Sequence, residues 1–177
     1  EPYRRQRQMC IRDSSTSEQS EETAVNVPQF DADSAYLYVK NQVDFGPRVP
    51  NTKEHVACGN YLAGQLEAFG AQVTNQYADL IAYDGTLLKA RNIIGSYKPE
   101  SKKRIALFAH WDTRPWADND PDEKNHNTPI LGANDGASGV GALLEIARLV
   151  NQQQPELGID IILLDAEDYG CLLYTSP

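Results

Sequence analysis

Apolar residues recur at helical spacing in two stretches between residues 29 and 70. The first stretch offers Asp31 or Asp33 as an amino-terminal cap and ends at Gly46, and the second ends at Gly70. The segment GPRVPNT between them predicts a fixed turn. The two predicted buried stripes consist of Ala35, Leu37, Tyr38, Val39 and Val43, and of Val56, Ala57, Tyr61, Leu62, Leu66 and Phe69.

Strand-like segments follow this pair of helices. AQVTNQY and LLKARNIIGSY are rich in β-forming residues and flank a region that contains DGT, which predicts adjacent strands joined by a turn. KRIALFAHWD and LGIDIILLD contain short apolar runs, and the second is apolar enough to predict a central strand covered on both faces. Between these two lie a long irregular stretch and a helix from about Asp135 to Val150, with an inward stripe of Val140, Leu143, Leu144, Ala147 and Val150.

This alternation of helices and strands predicts a single α/β domain. A chain of 177 residues that is 41% hydrophobic can bury one ordinary core. We expect a three-layer α/β/α sandwich with a mixed, largely parallel central sheet, in which ligands bind at the carboxyl ends of the strands. The residues that fall at that edge are His110, Asp112, Asp165, Glu167 and Asp168.

The charge balance argues against a nucleic-acid partner. The net charge is -9, and phosphate binding depends on clustered Lys and Arg. No apolar run approaches the roughly 18 residues of a membrane span, so we expect no transmembrane helix. The basic residues that do cluster are confined to the amino end, at Arg4, Arg5, Arg7 and Arg12.

We expect four regions along the chain. Residues 1–13 and 171–177 lack helical or strand periodicity and resemble translated adapter sequence, with a disordered natural terminus as the alternative. Residues 14–28 predict a flexible polar linker, and residues 29–170 predict the globular unit. The cysteines, Cys10, Cys58 and Cys171, show no CxxC spacing, and Cys58 is predicted to be a buried helical residue.

Candidate chemistry lies in HWD (110–112), GANDGASG (132–139) and DAED (165–168). His110 and Asp112 are two apart on a strand and share a side, which suits metal ligands, hydrogen-bonded supports of a ligand, or a structural histidine. Asp135 at a helix start suits either a metal carboxylate or an ordinary cap. The glycines do not fit a phosphate-binding loop, because the lysine of that motif is missing.

Glu167 and Asp168 come directly after a buried strand. In such a pair, one carboxylate can bind a cation while the other stays free as a base, and the alternative is ordinary solvated charge. Crowded carboxylates repel one another, and a zinc ion would offset that repulsion. The pair is therefore a candidate metal-dependent site.

The segments FGPRVPNT, HWDTRPWAD, GANDGASGVGALLEIARLV and IILLDAEDYG, in this order, resemble the bacterial glutaminyl-peptide cyclotransferases. These glutaminyl cyclases are built on the zinc aminopeptidase fold, and the resemblance covers roughly residues 29–170. HWDTRPWAD and the DAED ending favour the cyclases over the peptidases, whose corresponding strand usually ends in a glutamate pair. Residues 29–170 would then be the amino-terminal portion of a zinc-dependent catalytic domain.

The resemblance implies roles for individual residues. Asp135 and Asp168 would be ligands of a single Zn²⁺ ion, and Glu167 would be the general acid and base. His110 and Asp112 would support these ligands, although in two-metal aminopeptidases the histidine at the place of His110 binds a second zinc. The family's third ligand is a late histidine, expected beyond residue 170, because His55 and His126 lie in the early helix and in a polar loop. A cis peptide bond after Asp135 is also implied.

The implied reaction converts the amino-terminal glutamine of peptides or proteins to pyroglutamate with release of ammonia. The alternatives are a zinc metallo-aminopeptidase of the same fold and a non-catalytic binding domain. We expect the 177-residue chain itself to be inactive and to fail to retain stoichiometric zinc, because a ligand is missing. Family members are commonly exported, so a periplasmic or envelope-anchored bacterial enzyme, with a lipid tether upstream of the linker, is expected.

Overall fold

The computed structural model describes residues 26–170. The predicted tails at 1–13 and 171–177, and most of the predicted linker, lie outside these residues. The elements within them are α1 (Ala32–Asp44), α2 (Lys53–Ala68), β1 (Gln72–Ile81), β2 (Leu87–Tyr97), β3 (Arg104–His110), a short 3-10 helix (Glu123–Asn125), α3 (Ala137–Gln152), β4 (Gly158–Leu164) and α4 (Glu167–Gly170). The predicted order of helices and strands is confirmed.

The four described strands form one open, mixed sheet in the order β1-β2-β4-β3. β1 and β2 form an antiparallel hairpin, β2 pairs antiparallel with β4, and β4 pairs parallel with β3. The strand LGIDIILLD is central, as predicted from its apolar composition. The parallel pairing of β3 with β4 brings the carboxyl ends of these two strands side by side, because His110 pairs with Leu164.

The core lies between the sheet and helices α2 and α3. Leu62 and Leu66 of α2 pack in the same cluster as Ile93, Ile161 and Leu163 of the sheet. The predicted inward stripe of α3 is confirmed, because Val140, Leu143, Leu144, Ala147 and Val150 are all buried. Helix α1 packs on α3, and its residue Tyr38 also contacts the core cluster.

The stripe predicted for α2 is shifted relative to the structure. Val56 is exposed, whereas His55 and Cys58 are buried together with Leu62 and Leu66. These four positions are spaced by three or four residues, so the true stripe is also helical, but it begins with a polar residue. Burial of Cys58 confirms the prediction for this residue and raises the pKa of its thiol to about 12.

Capping explains where the first two helices begin. The side chain of Asp31 accepts hydrogen bonds from the backbone N–H groups of Asp33 and Ser34, and Thr52 accepts one from His55. No helix within residues 26–170 combines the length and the apolar character that a membrane span requires.

Candidate metal centre

Three segments that are distant in sequence converge at the carboxyl ends of β3 and β4. His110 is the last residue of β3, Asp135 lies just before α3, and Asp168 lies in the short helix after β4. Each offers one potential ligand atom, and these three atoms all lie within 4.8 Å of one another. Imidazole nitrogen and carboxylate oxygen are donors that zinc accepts. Of the residues expected at this edge, His110 and Asp168 lie in the cluster, and Asp135 joins them from the segment before α3.

His110 is surrounded by carboxylates. Its Nε2 lies 2.8 Å from Oδ1 of Asp135, and its Nδ1 lies 3.5 Å from Oδ1 of Asp112 and 3.9 Å from Oε2 of Glu167. Asp112 first, and then Asp135 and Glu167, raise the pKa of His110 to about 9 against the opposing effect of burial. Nδ1 is buried and has no hydrogen-bond partner. The imidazole therefore retains bonding capacity that the surrounding protein does not use.

Asp112 connects this histidine to the turn that carries the acidic pair. Its side chain is fully buried, Oδ1 accepts the backbone N–H of Glu167 at 3.3 Å, and Oδ2 accepts that of Asp168 at 3.1 Å. Both oxygens are therefore occupied by backbone donors. This arrangement suits a residue that positions its neighbours, as expected for Asp112, better than a direct metal ligand.

Asp168 is held in an unfavourable environment for a carboxylate. Burial, and next the nearby charges of Asp135 and Asp112, raise its pKa, and the hydrogen bond from Arg114 and the charge of His110 offset this only in part. Its Oδ2 is buried and has no hydrogen-bond partner. A buried carboxylate oxygen without a donor is costly, and a bound cation would remove that cost.

Asp135 is not a helix cap. The N-cap of α3 is Gly136, with φ +88°, and there is no side-chain cap hydrogen bond. A Cβ at residue 136 would lie 2.9 Å from the carbonyl oxygen of Asp112, so glycine is required both for the backbone angle and for the close approach. The side chain of Asp135 is 66% exposed and bonds His110, which favours the interpretation as a metal carboxylate over the cap.

The peptide bond after Asp135 is trans, since no cis peptide bond occurs within residues 26–170. The cis bond expected there from the family resemblance is therefore wrong for this structure. The turn is made instead by the positive φ of Gly136 and by that of Gly132, at +55°.

Glu167 differs from its neighbour Asp168 in exposure. Its side chain is 55% exposed, and its Oε2 lies 3.9 Å from Nδ1 of His110. Asp168, in contrast, is buried. One carboxylate of the pair therefore faces the solvent and the other faces the ligand cluster, which is the division that a base beside a cation needs.

Asp165 does not join this cluster, although it was expected at the same edge. Nε2 of His55 lies 2.8 and 2.9 Å from its two oxygens, and the backbone N–H groups of Arg91 and Ala166 donate to them as well. Both side chains of the pair are buried, and the His55 ring stacks on Trp111 with 4.3 Å between centroids. This buried pair was missed from sequence, although His55 lies on the helical stripe of Cys58, Leu62 and Leu66.

Hydrogen bonds define the positions of two further polar residues, His126 and Arg48. His126 lies in a polar loop, as predicted, and bonds the carbonyl oxygen of Asp120 at 2.8 Å within that loop. Arg48, which the sequence placed only in a turn, is fully buried and donates to the carbonyl oxygens of Trp111, Leu131 and Gly132. Local sequence does not reveal these three contacts, because their acceptors lie 63 to 84 residues from Arg48.

The motif HWDTRPWAD also contributes an aromatic and basic border to the site. Arg114 donates to the carbonyl oxygen of Asp168 at 3.1 Å and pairs with Asp118. Trp116 packs against Tyr169 and Tyr83, with centroid distances of 5.1 and 6.2 Å. The tip of the β1-β2 hairpin is thereby attached to the turn that carries Glu167 and Asp168.

The family model for Peptidase family M28 matches residues 92–172 of this chain. A leucine aminopeptidase precursor from Bacteroides thetaiotaomicron is 96% identical, covers 82% of this chain and has a TM-score of 0.81. A glutaminyl cyclase from the same organism, solved with bound N-acetylhistamine, is 92% identical over 86% of the chain with a TM-score of 0.82. Tannerella forsythia glutaminyl cyclase is 57% identical over 85% of the chain, with a TM-score of 0.81.

These likenesses confirm the resemblance to bacterial glutaminyl cyclases and zinc-dependent exopeptidases, and with it the zinc aminopeptidase-like α/β fold. The chain covers 50 to 52% of the three solved chains, and so spans about half of their length. It spans 31% of the curated aminopeptidase YwaD of Bacillus subtilis, to which it is 28% identical over 155 residues.

Proposed function

We propose that the whole protein containing this chain is a zinc-dependent glutaminyl cyclase. The observation that carries this proposal is the convergence of His110, Asp135 and Asp168, with their ligand atoms within 4.8 Å, beside the exposed carboxylate of Glu167. The similarity to two glutaminyl cyclases over more than four-fifths of the chain supports the choice of reaction. Substrates would be peptides or proteins that begin with glutamine.

The donor set fits one zinc ion. Asp168 offers a buried Oδ2 without a partner, and Asp135 offers an exposed carboxylate on the other side of the cluster. We propose that these two are ligands and that His110 orients Asp135 through their 2.8 Å contact. We propose that the third protein ligand lies outside residues 26–170. Within these residues, His55 is bonded to Asp165 and His126 to the carbonyl oxygen of Asp120.

The residues of this chain then divide the work of cyclisation. Zinc bound here would polarise the carbonyl of the glutamine side chain and stabilise the charge that develops on its oxygen. Glu167 would take a proton from the α-amine as the new carbon–nitrogen bond forms. It would return this proton to the leaving nitrogen as the old amide bond breaks and ammonia departs. Asp112 would keep Glu167 and Asp168 in place through their backbone N–H groups.

The second candidate is a metallo-aminopeptidase. It is favoured by the position of His110 inside the ligand cluster, where it could bind a second zinc with Asp135 as the bridge. A relative 96% identical to this chain is described as a leucine aminopeptidase precursor. In that reaction Glu167 would activate a water molecule rather than the substrate's own amine.

The test uses the extended protein, meaning residues 26–170 continued to the length of the solved relatives. Incubated with a peptide that begins with glutamine, it should release ammonia and leave every backbone peptide bond intact. Glu167→Gln should lower kcat by about 10²–10⁴-fold with the zinc content unchanged, because only the proton shuttle is removed. Glu156→Gln, which changes an exposed carboxylate in another loop, is the matched control.

Other outcomes would decide against this proposal. Release of free amino acids, with two zinc ions per chain, would establish the aminopeptidase. Absence of zinc uptake and of both reactions would support the non-catalytic binding domain. Both assays use the extended protein, because we expect the 177-residue chain to be inactive and unable to retain stoichiometric zinc.

We also propose a periplasmic or envelope location, with residues 14–28 as the tether between an anchor and the domain. The proposal is supported by the small, polar and acidic composition of this segment. Fractionation of cells followed by immunodetection tests it, and recovery of the protein in the cytoplasmic fraction would contradict it.

A further inference from the structure

Arg48 is a buried cation whose side-chain acceptors within residues 26–170 are carbonyl oxygens. Its side chain is fully buried, and within the described residues it forms no ion pair. Burial lowers the pKa of its guanidinium, and the negative charge of Asp112 is among the groups that oppose this effect. Burying a charge in this way is costly, so its retention calls for a role that a neutral side chain cannot fill.

The guanidinium connects the end of β3, where His110 lies, to the segment before α3 that carries Asp135. Nε donates to the carbonyl oxygen of Trp111 at 3.0 Å, and Trp111 lies between His110 and Asp112. Nη1 and Nη2 donate to the carbonyl oxygens of Leu131 and Gly132, both at 2.9 Å. The carbonyl oxygen of Arg48 itself accepts the N–H of Thr113 at 3.2 Å.

Gly132 is the tightest point of this arrangement. A Cβ there would lie 2.4 Å from Cγ2 of Thr113, 2.7 Å from the carbonyl oxygen of Asp135 and 3.0 Å from Nη2 of Arg48. The carbonyl oxygen of Gly132 also accepts the N–H of Ala137, the first residue of α3. A displacement of Gly132 would therefore move the segment that carries Asp135.

We propose that Arg48 is a positioning residue of the cation site, which sets the spacing between His110 at the end of β3 and Asp135 before α3. The rigid fork of the guanidinium fixes three acceptor positions at once, whereas the single ammonium group of lysine cannot span them. The role in zinc binding rests on the proposed function, because it assumes that these residues hold the ion. The hydrogen bonds by which Arg48 holds these two segments together, called the Arg48 clamp below, do not depend on that assumption.

The experiment compares Arg48→Lys and Arg48→Met with Leu66→Ala in the extended protein. Leu66 is fully buried in the core on α2, so its truncation supplies a loss of stability away from the site. We expect the Arg48 variants to lose zinc affinity by about 10- to 100-fold. At saturating zinc, kcat should fall by a similar factor while KM changes within about threefold. Leu66→Ala should keep zinc affinity and kcat within about threefold of the parent.

A second readout separates this proposal from the proposed function. In the metal-free protein, amide exchange at Ala137 should accelerate at least about tenfold in Arg48→Lys relative to Ala147 in the same helix, but not in Leu66→Ala. If the parent binds no zinc but Arg48→Lys still shows this selective acceleration at Ala137, the proposed function is wrong and the positioning role of the Arg48 clamp is supported. If the Arg48 variants match Leu66→Ala in zinc affinity, kcat and exchange, Arg48 is only structural and the proposal is overturned.

Discussion

Two histidine–carboxylate pairs in this structure have the same contact distance but different surroundings. Nε2 of His55 lies 2.8 Å from an oxygen of Asp165, and Nε2 of His110 lies 2.8 Å from an oxygen of Asp135. The side chains of the first pair are 4% and 0% exposed, whereas those of the second are 18% and 66% exposed. The distance between partners therefore says nothing about which pair is available to a ligand.

The hydrogen bonds around each pair indicate which of the two pairs is available to a ligand. In the first pair, Asp165 also accepts backbone N–H groups from Arg91 and Ala166, and the ring of His55 stacks on Trp111. Around the second pair, Nδ1 of His110 and Oδ2 of Asp168 are buried without hydrogen-bond partners. A fully bonded buried pair stabilises the fold, whereas unused donor and acceptor capacity at a cluster of ligand atoms points to binding.

The largest expected effect on stability comes from breaking the pair of His55 and Asp165. In the extended protein, His55→Ala should lower the free energy of unfolding by about 3 kcal/mol, because it leaves the buried carboxylate of Asp165 without its imidazole hydrogen bond and removes the ring that stacks on Trp111. His110→Ala, the same substitution in the second pair, should lower it by about 1 kcal/mol or less. Urea denaturation of both variants measures the difference. Equal losses would show that the contrast between the two pairs is unfounded.

A smaller effect concerns the pH dependence of the second pair. The pKa of His110 is raised from 6.5 to about 9, so the charged imidazole stabilises the metal-free fold. This contribution is fully present below pH 6.5 and is lost as the pH rises through about 9. Because part of the site is open to solvent, we expect the loss to be about 1 kcal/mol.

Denaturation of the metal-free extended protein at pH 6, 8 and 10 measures this loss. His110→Gln is the control, since glutamine keeps hydrogen-bonding capacity but does not titrate in this range. The parent should lose stability between pH 6.5 and 9 relative to the variant. Parallel pH profiles for the two proteins would show that His110 is not charged in the metal-free site.

Local periodicity was sufficient to predict the elements that bring the second pair together. The inward residues of α3, such as Val140 and Leu144, follow a helical repeat, and the apolar run of β4 identifies a central strand. Residues after the ends of β3 and β4 must then meet at one edge of the sheet. The grouping of His110 and Asp168 follows from these local patterns.

The first pair depended on features that local patterns do not contain. Asp165 and Asp168 are three residues apart, yet one pairs with α2 and the other faces the ligand cluster, because Ala166 adopts φ +60° between them. The partner of Asp165 lies 110 residues away, and the acceptors of Arg48 are similarly remote. The polarity of His55 also concealed its place on the buried stripe of α2.

The smallest expected effect on stability has the opposite sign. The pKa of Asp168 is raised mainly by burial and then by the charges of Asp135 and Asp112, so its ionised form opposes folding above pH 3.8. Asp168→Asn removes this charge and offers N–H donors to the same carboxylates. We therefore expect the metal-free extended protein to become more stable at pH 7 by about 0.5–1 kcal/mol. Zinc affinity should nevertheless fall at least about 100-fold, since a carboxylate ligand is lost.

Urea denaturation and zinc titration of the same sample measure both changes, with Asp160→Asn as the control. Asp160 is a carboxylate whose pKa is lowered by Arg104, so its variant should lose stability and keep zinc affinity. A loss of stability in Asp168→Asn as large as in Asp160→Asn would mean that Asp168 is a structural carboxylate like Asp165, and that the difference between the two pairs does not identify the binding site.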